Sequence, residues 1–169
     1  MNLWKNLSLK IHEDYFSVVE IPRGSNAKYE YNHLLGVFEL DRCLVTAMNY
    51  PTNYGFMPQT IAPDGDPLDC MIFTDVPLNS GTVVRGIPLA VLKMLDKGQR
   101  DDKILFVPKF NTRYSNHKEI KKEYLDVYED FFRNYKNLTS GSIEIIGWGD
   151  KKEAEEIIAA ASESFKREG

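Results

Sequence analysis

The hydrophobic period of this chain changes part-way along, and that change limits the folds open to it. From Phe16 to Pro108 the sequence is a series of short segments rich in Val, Ile and Leu, punctuated by Gly, Pro and Asp. Helical spacing begins only after Lys118. Phe16–Ile21, Ala27–Asn32, Val37–Leu44, Asp69–Asp75, Thr82–Ile87, Leu89–Asp96 and Lys103–Pro108 read as strands, with His33–Gly36 (HLLG) as a hairpin turn. In KEIKKEYLDVYEDFFRNY the apolar residues Ile120, Tyr124, Val127, Phe131 and Tyr135 form one face of an amphipathic helix. After a further strand, SIEIIGW, Asp150 and Glu153 have the spacing of a capping box, and Ala154, Ile157, Ile158, Ala161 and Phe165 give a second helical face. Strands first and helices late predict an α+β fold that is mainly β. The expected form is a small, mostly antiparallel barrel with helices packed on its outside. No repeat, low-complexity linker or composition break divides the chain, so residues 1–169 are expected to form one domain.

The balance of charge narrows the function. A net charge of −4 gives no overall basic surface for nucleic acid or anionic lipid. Cys43 and Cys70 lie in apolar strand-like segments with no CxxC or Cys/His cluster. They read as reduced core thiols of a cytoplasmic protein, not as a disulfide or zinc framework. The opening MNLWKNLSLKIHED has no apolar signal core, and the most apolar run, Val83–Leu95, is interrupted by Arg85 and Lys93.

Against this ordinary background one stretch stands out. APDGDPLDCMIF (Ala62–Phe73) places Asp64, Asp66 and Asp69 within six residues, at the start of a strand. Pro63-Asp64-Gly65 is a turn signal, but a turn does not require Asp69. The spacing also misses the calcium-loop pattern, because Pro67 and Leu68 interrupt the alternation of ligands. Carboxylates this close repel unless a cation lies between them, and hard divalent ions such as Mg2+ prefer such oxygens. A second acidic group, Asp96, Asp101 and Asp102 with Lys103, sits at another pair of strand ends.

Other groups add cations and hydroxyls. In KYEY, Lys28 and Glu30 share one face of a strand. Arg42 follows Asp41 in an otherwise apolar run, NYPTNYG carries Tyr50 and Tyr54, and Tyr135-Lys136 end the first helix. No GxSxG elbow, Walker loop or histidine pair at metal spacing is present. Seven carboxylates (Glu20, Glu30, Asp64, Asp66, Asp69, Asp96, Asp101) against four cations (Lys28, Arg42, Lys103, Lys136) leave three excess negative charges. Such a set repels anions until divalent ions enter and then attracts a compact polyanion, the electrostatics of metal-assisted phosphoryl transfer.

DGDPLD resembles the signature of the soluble inorganic pyrophosphatases of family I. EIP at Glu20, KYE, Asp41-Arg42, YPTNYG, VLKMLD, the DxK of Asp101–Lys103 and FFxxYK at Phe131–Lys136 follow in that family's order, from about Val18 to Phe165. The resemblance implies a five-stranded OB-like barrel with outer helices, and hydrolysis of inorganic diphosphate to two orthophosphates with several Mg2+ ions. By similarity, Asp64, Asp69, Asp96 and Asp101 hold metal, with Glu30 assisting. Asp66 accepts the proton of a nucleophilic water bridging two ions. Lys28, Arg42, Tyr54, Lys103, Tyr135 and Lys136 grip the phosphates, and Glu20 and Tyr50 support the site. It also implies a homohexamer of the compact bacterial type, although Asp130 and Asn134 stand where better-known members carry contact histidines. Two other readings compete: a metal-dependent phosphohydrolase of nucleotides or phosphate esters, and an OB-type nucleic-acid-binding module. The second would need a basic groove where this chain places its acids.

Overall fold

The computed structural model describes residues 1–139 and 141–168; Ser140 and Gly169, within the span expected to form one domain, lie outside the described residues. The strands are β1 (Lys10–Ile11), β2 (Asp14–Ile21), β3 (Ala27–Asn32), β4 (Val37–Cys43), β5 (Asn53–Phe56), β6 (Asp69–Ile72), β7 (Val83–Asp96), β8 (Gln99–Arg100), β9 (Lys103–Pro108) and β10 (Ile143–Gly149). A short 3-10 turn, His117–Glu119, precedes helix α1 (Lys122–Asn134), and α2 (Lys151–Glu168) closes the chain.

Five strands close into a barrel in the order β2-β5-β6-β9-β7 and back to β2. This agrees with the expected barrel, and four of its seams are antiparallel. The fifth, β6 with β9, is parallel. The intervening chain contains β7 and is long enough for the crossover that parallel neighbours require. The two segments expected as separate strands around Pro88 are one long strand, β7. Pro88 lacks an N–H, and the strand absorbs it at a bulge between Pro88 and Ala90. That bend lets one strand pair with β2 over its first part and with β9 and then β10 further on.

Both helices pack on the barrel. The capping box of α2 forms as expected: the Asp150 N–H donates to Glu153 Oε2 at 3.1 Å and the Glu153 N–H to Asp150 Oδ1 at 3.0 Å. Ala154, Ile158 and Ala161 are its buried residues. The face expected for α1 is rotated. Tyr128, Phe131 and Phe132 are buried, whereas Tyr124 and Val127 are 41% and 50% exposed. The aromatic rings of Phe131 and Phe132 determine which side meets the barrel, against Tyr50 (4.8 Å between centroids) and Tyr54 (5.9 Å). Cys43 is exposed, not a core thiol, because β4 belongs to a separate two-stranded sheet with β3 that the barrel does not cover; Cys70 is buried as expected, and both are free. No helix among the described residues is long and apolar enough to cross a membrane.

One barrel seam depends on a missing side chain. In β2 the partners run Val18–Phe56, Val19–Gly55, Ile21–Tyr54, which leaves Glu20 as the extra residue of a bulge. A Cβ on Gly55 would lie 1.9 Å from the Val18 carbonyl oxygen and 3.0 Å from the Glu20 nitrogen. Only glycine allows the two backbones to approach so closely at the bulge. Gly55→Ala is expected to cost about 2–3 kcal/mol and lower the melting temperature by roughly 5–10 °C, measured by thermal denaturation of the metal-free protein.

Candidate active site

The parallel seam sets the geometry of the site. Cys70 of β6 is paired with Ile104 of β9, so the residues before them, Asp69 and Lys103, start their strands side by side. Because β7 runs antiparallel to β9, its final residue, Asp96, arrives at the same end of the barrel. The bulge in β2 turns Glu20 towards that end, where its Oε1 accepts the Tyr31 N–H at 2.8 Å. Glu20, Glu30, Asp64, Asp66, Asp69, Asp96 and Asp101 line one cavity of about 320 Å³, together with Lys28, Lys103, Lys136, Tyr50, Tyr54 and Tyr135. Thus every residue given a role in the site from sequence except Arg42 faces a single cavity; Asp102 of the second acidic group does not line it, and its carboxylate pairs with Arg100. Arg42 lines an adjoining cleft that shares Asp64, Asp96, Asp101, Tyr135 and Lys136 with it.

The two acidic loops are fixed to each other and to the barrel. Gln99 Nε2 donates to the Pro63 carbonyl at 3.1 Å. Within the first loop the Asp66 N–H donates to Asp64 Oδ1 at 3.1 Å, and the Ala62 N–H to the Asp66 carbonyl at 2.7 Å. Gly65, with φ of +92°, makes the turn that these bonds close. Thr60, fully buried, fastens the base: its hydroxyl donates to the Met57 carbonyl at 2.7 Å and accepts the Leu68 N–H at 2.9 Å.

Lys103 is the centre of the charge arrangement. It is 2% exposed, and its Nζ donates to Asp69 Oδ2 at 2.6 Å and also to Asp101. Burial pulls its pKa down, but the two carboxylates outweigh burial and raise it, so the ammonium stays charged. Lys136 similarly pairs with Asp96, and Lys28 with Glu30 and, at 3.1 Å, with Asp41. Burial raises the pKa of Asp64, of Asp66 and of Asp101, with Asp69 adding repulsion to each. Glu20 is pushed up to about 8, mainly by burial, despite its bond from Tyr31. Glu20 therefore carries a proton at neutral pH, which removes one of the seven negative charges counted from the sequence.

The residues suit divalent metal. Asp96 Oδ1 is buried and has no hydrogen-bond partner while Lys136 occupies the other oxygen of the carboxylate. A buried carboxylate oxygen without a donor is a position a cation would satisfy. The set consists wholly of hard oxygen donors, as Mg2+ and its relatives require. Among the described residues no three carboxylates yet converge on one point. The ammonium groups of Lys103 and Lys136 lie against the acids instead.

Several lining groups were given no role in the site from the sequence, Tyr29, Tyr31 and Phe132 among them although they lie within the quoted motifs. Trp4, Tyr29, Tyr31, His33 and Phe132 face the cavity, brought there by the β3–β4 hairpin, the first turn of the chain and α1. Thr60 and the fully buried Asn53, which accepts the Arg23 and Leu78 N–H groups at 3.0 and 2.7 Å, are single polar residues whose value lies only in their partners.

Comparison with known proteins agrees with this fold. The family profile described as "Pyrophosphatase: Inorganic pyrophosphatase" matches residues 17–166. The chain is similar to a protein of Sulfolobus acidocaldarius named inorganic pyrophosphatase, at 44% identity over 150 residues, covering 85% of this chain and 87% of the other. A Synechocystis protein of the same name is 41% identical over 152 residues, covering 88% and 90%. In three dimensions the chain superposes on the crystal structure of inorganic pyrophosphatase from Thermus thermophilus with a TM-score of 0.93 and 34% identity, over 98% of this chain and 99% of that one.

The raised pKa of Glu20 has a measurable consequence. Its folded value, about 8, exceeds the ordinary 4.5, so stability is full below about pH 4.5 and falls as pH rises towards 8. Glu20→Gln keeps the acceptor for the Tyr31 N–H but cannot ionise. Thermal denaturation of metal-free protein should show the variant close to wild type at pH 5 and several degrees more stable at pH 8.5. An advantage that stays flat across this range would contradict the protonation of Glu20.

Proposed function

The chain belongs to the inorganic pyrophosphatase family, and on that footing we propose how its own residues carry the reaction. It is an inorganic diphosphatase: a water oxygen bonds to one phosphorus, the bridging oxygen leaves with the other, and two orthophosphates result. The family requires a divalent metal; the metal proposed here is Mg2+, several ions per site, held by Asp64, Asp69, Asp96 and Asp101 with help from Glu30. When bound, such ions supply Lewis-acid charge that offsets the phosphate oxygens and acidifies water.

The remaining steps belong to the protein. Lys28, Lys103, Lys136 and Arg42 present cations to the phosphate oxygens, and the Tyr54 and Tyr135 hydroxyls donate to them. Lys103 is already held charged beside Asp69, so it is positioned to follow negative charge as it builds on the leaving phosphate. The Asp66 carboxylate takes the proton of the attacking water. Among the carboxylates of its loop it lies one residue past the Gly65 turn, and burial raises its basicity above that of an ordinary aspartate. Tyr50, buried against Phe131, backs Tyr54 at a centroid distance of 5.5 Å, and Glu20 fixes the β3 backbone through Tyr31.

The single observation that supports this assignment is the convergence of both acidic loops, the β3 pair Lys28/Glu30 and the Tyr135-Lys136 end of α1 on one cavity. Residues 1–169 are read as one catalytic unit acting in the cytoplasm as a homohexamer. The half-exposed Tyr124 and Val127 of α1 offer apolar surface suited to subunit contact.

Purified protein with Mg2+ should release orthophosphate from diphosphate, and excess EDTA should abolish the release. Asp66→Asn should lower kcat by about 10²–10⁴-fold while thermal stability changes little. An Asp66→Asn enzyme as fast as wild type would remove the proposed base, and faster hydrolysis of a nucleotide than of diphosphate would contradict the substrate assignment.

A further inference from the structure

The β3–β4 hairpin brings Lys28 and Glu30 to the cavity, yet it is poorly supported. It forms its own two-stranded sheet, and no residue of either strand is fully buried. A two-stranded hairpin with little buried surface is marginally stable by itself. Its root is tied down where the Leu44 N–H donates to the Asn26 carbonyl at 2.9 Å and Asn26 Nδ2 to the Met48 carbonyl at 3.2 Å. Lys28 and Glu30 lie beyond this root, towards the turn.

Midway along, Glu20 Oε1 accepts the Tyr31 N–H and the Tyr31 ring stacks on Phe56 of the barrel, 5.6 Å between centroids; the part nearest the turn is secured by the first turn of the chain. Asn2 Nδ2 donates to the His33 carbonyl at 2.8 Å, and the Leu3 N–H donates to the Tyr31 hydroxyl at 2.9 Å. The Trp4 ring meets the His33 ring edge-on, 4.9 Å between centroids. Asn2 Oδ1 accepts the N–H groups of Trp4 and Lys5, at 3.0 and 2.9 Å, so the turn is closed by its own side chain. The other side of the same turn grips the support of the acidic loop. Trp4, 8% exposed, donates its Nε1–H to the Thr60 carbonyl at 2.8 Å, and its own carbonyl accepts the Gln59 N–H at 2.8 Å. Thr60 is the residue whose hydroxyl accepts the Leu68 N–H at the foot of the Asp64–Asp69 loop. Trp4 and His33 themselves line the cavity.

We infer that Asn2, Leu3 and Trp4 form a clasp that joins the β3–β4 hairpin to the base of the acidic loop, and so positions Lys28 and Glu30 opposite Asp66 and Asp69. These are positioning residues: they act through the hairpin and not on the substrate. The inference rests on the assignment of Lys28 and Glu30 to the diphosphate site, but the clasp itself is a statement about the protein without ligand. A loosened clasp leaves the barrel intact and lets the hairpin swing, so it weakens the grip on substrate more than the chemistry.

The test combines hydrogen exchange by mass spectrometry with steady-state kinetics on full-length Trp4→Ala, Trp4→Phe and Asn2→Ala. Exchange of metal-free Trp4→Ala and Asn2→Ala should quicken by about 5-fold or more across residues 28–40 while β7 and β9 keep wild-type protection. With Mg2+, KM for diphosphate should rise about 3–10-fold in both variants with kcat within about 2-fold of wild type. Trp4→Phe, which retains a ring against His33 but loses the Nε1–H bond to the Thr60 carbonyl, should show both effects at intermediate size. Unchanged exchange over residues 28–40, or equal acceleration in the barrel, overturns the clasp. Asn2→Ala, confined to an exposed turn, keeps the test decisive if Trp4→Ala does not fold. Should wild-type protein fail to hydrolyse diphosphate, the functional assignment falls, and the exchange result alone still decides the clasp.

Discussion

A buried ammonium between two carboxylates organises this molecule. Lys103, at the first position of β9, bridges Asp69 of β6 and Asp101 of the loop before it. Without a positive charge there, the acids at this end of the barrel would repel one another across a partly desolvated space, a cost that burial makes steep. The pairing exists because β6 and β9 are parallel and in register, so that their first residues are neighbours. Were this seam antiparallel like the other four, Asp69 and Lys103 would lie at opposite ends. One parallel seam therefore gathers the charge, and β7, antiparallel to β9, adds Asp96 to it.

The same arrangement explains how a protein can hold so many acids before any ion arrives. Lys103, Lys136 and Lys28 each lie on carboxylates proposed to hold metal, and Glu20 is kept neutral by burial. On the proposed assignment the lysines would have two partners at different stages: the carboxylates they now contact, and phosphate oxygens once ions neutralise those carboxylates. Each ammonium is already in place, which reduces the ordering needed when substrate binds. Buried ion pairs of this kind contribute little net stability compared with apolar packing. Their presence here is better accounted for by the work of the pocket than by the stability of the fold.

Much of this was readable from residue order, because the signals were local. The acids of DGDPLD, the Lys28/Glu30 pair and the capping box at Asp150 and Glu153 depend on spacing within a few residues; the first two groups meet in one cavity, Tyr29 and Tyr31 joining them across a register shift after Lys28, and the capping box forms as expected. What was not readable depended on long-range partners. The bulge at Glu20 requires Gly55 across the seam, and the orientation of α1 follows from which aromatic rings Tyr50 and Tyr54 can meet. β5 was hidden at the end of NYPTNYG and in the Phe56 that follows it, where its four residues carry no alternation, although all four are buried. Cys43 looked like a core residue because β4 is apolar in pattern; no spacing rule reveals that the β3–β4 pair leaves the barrel. Trp4 and Thr60 bring no motif at all, and their importance comes from what they hold together.

The central claim is that this end of the barrel is a site for divalent ions whose entry displaces lysine from carboxylate. A crystal soaked in Mn2+, chosen for its anomalous scattering, examines this directly. The account predicts anomalous peaks within coordination distance of Asp69, Asp96 and Asp101, with Lys103 drawn away from at least one carboxylate that it now bridges. An occupied Mn2+ position elsewhere on the protein, with this pocket free of anomalous signal and Lys103 still between Asp69 and Asp101, would contradict it.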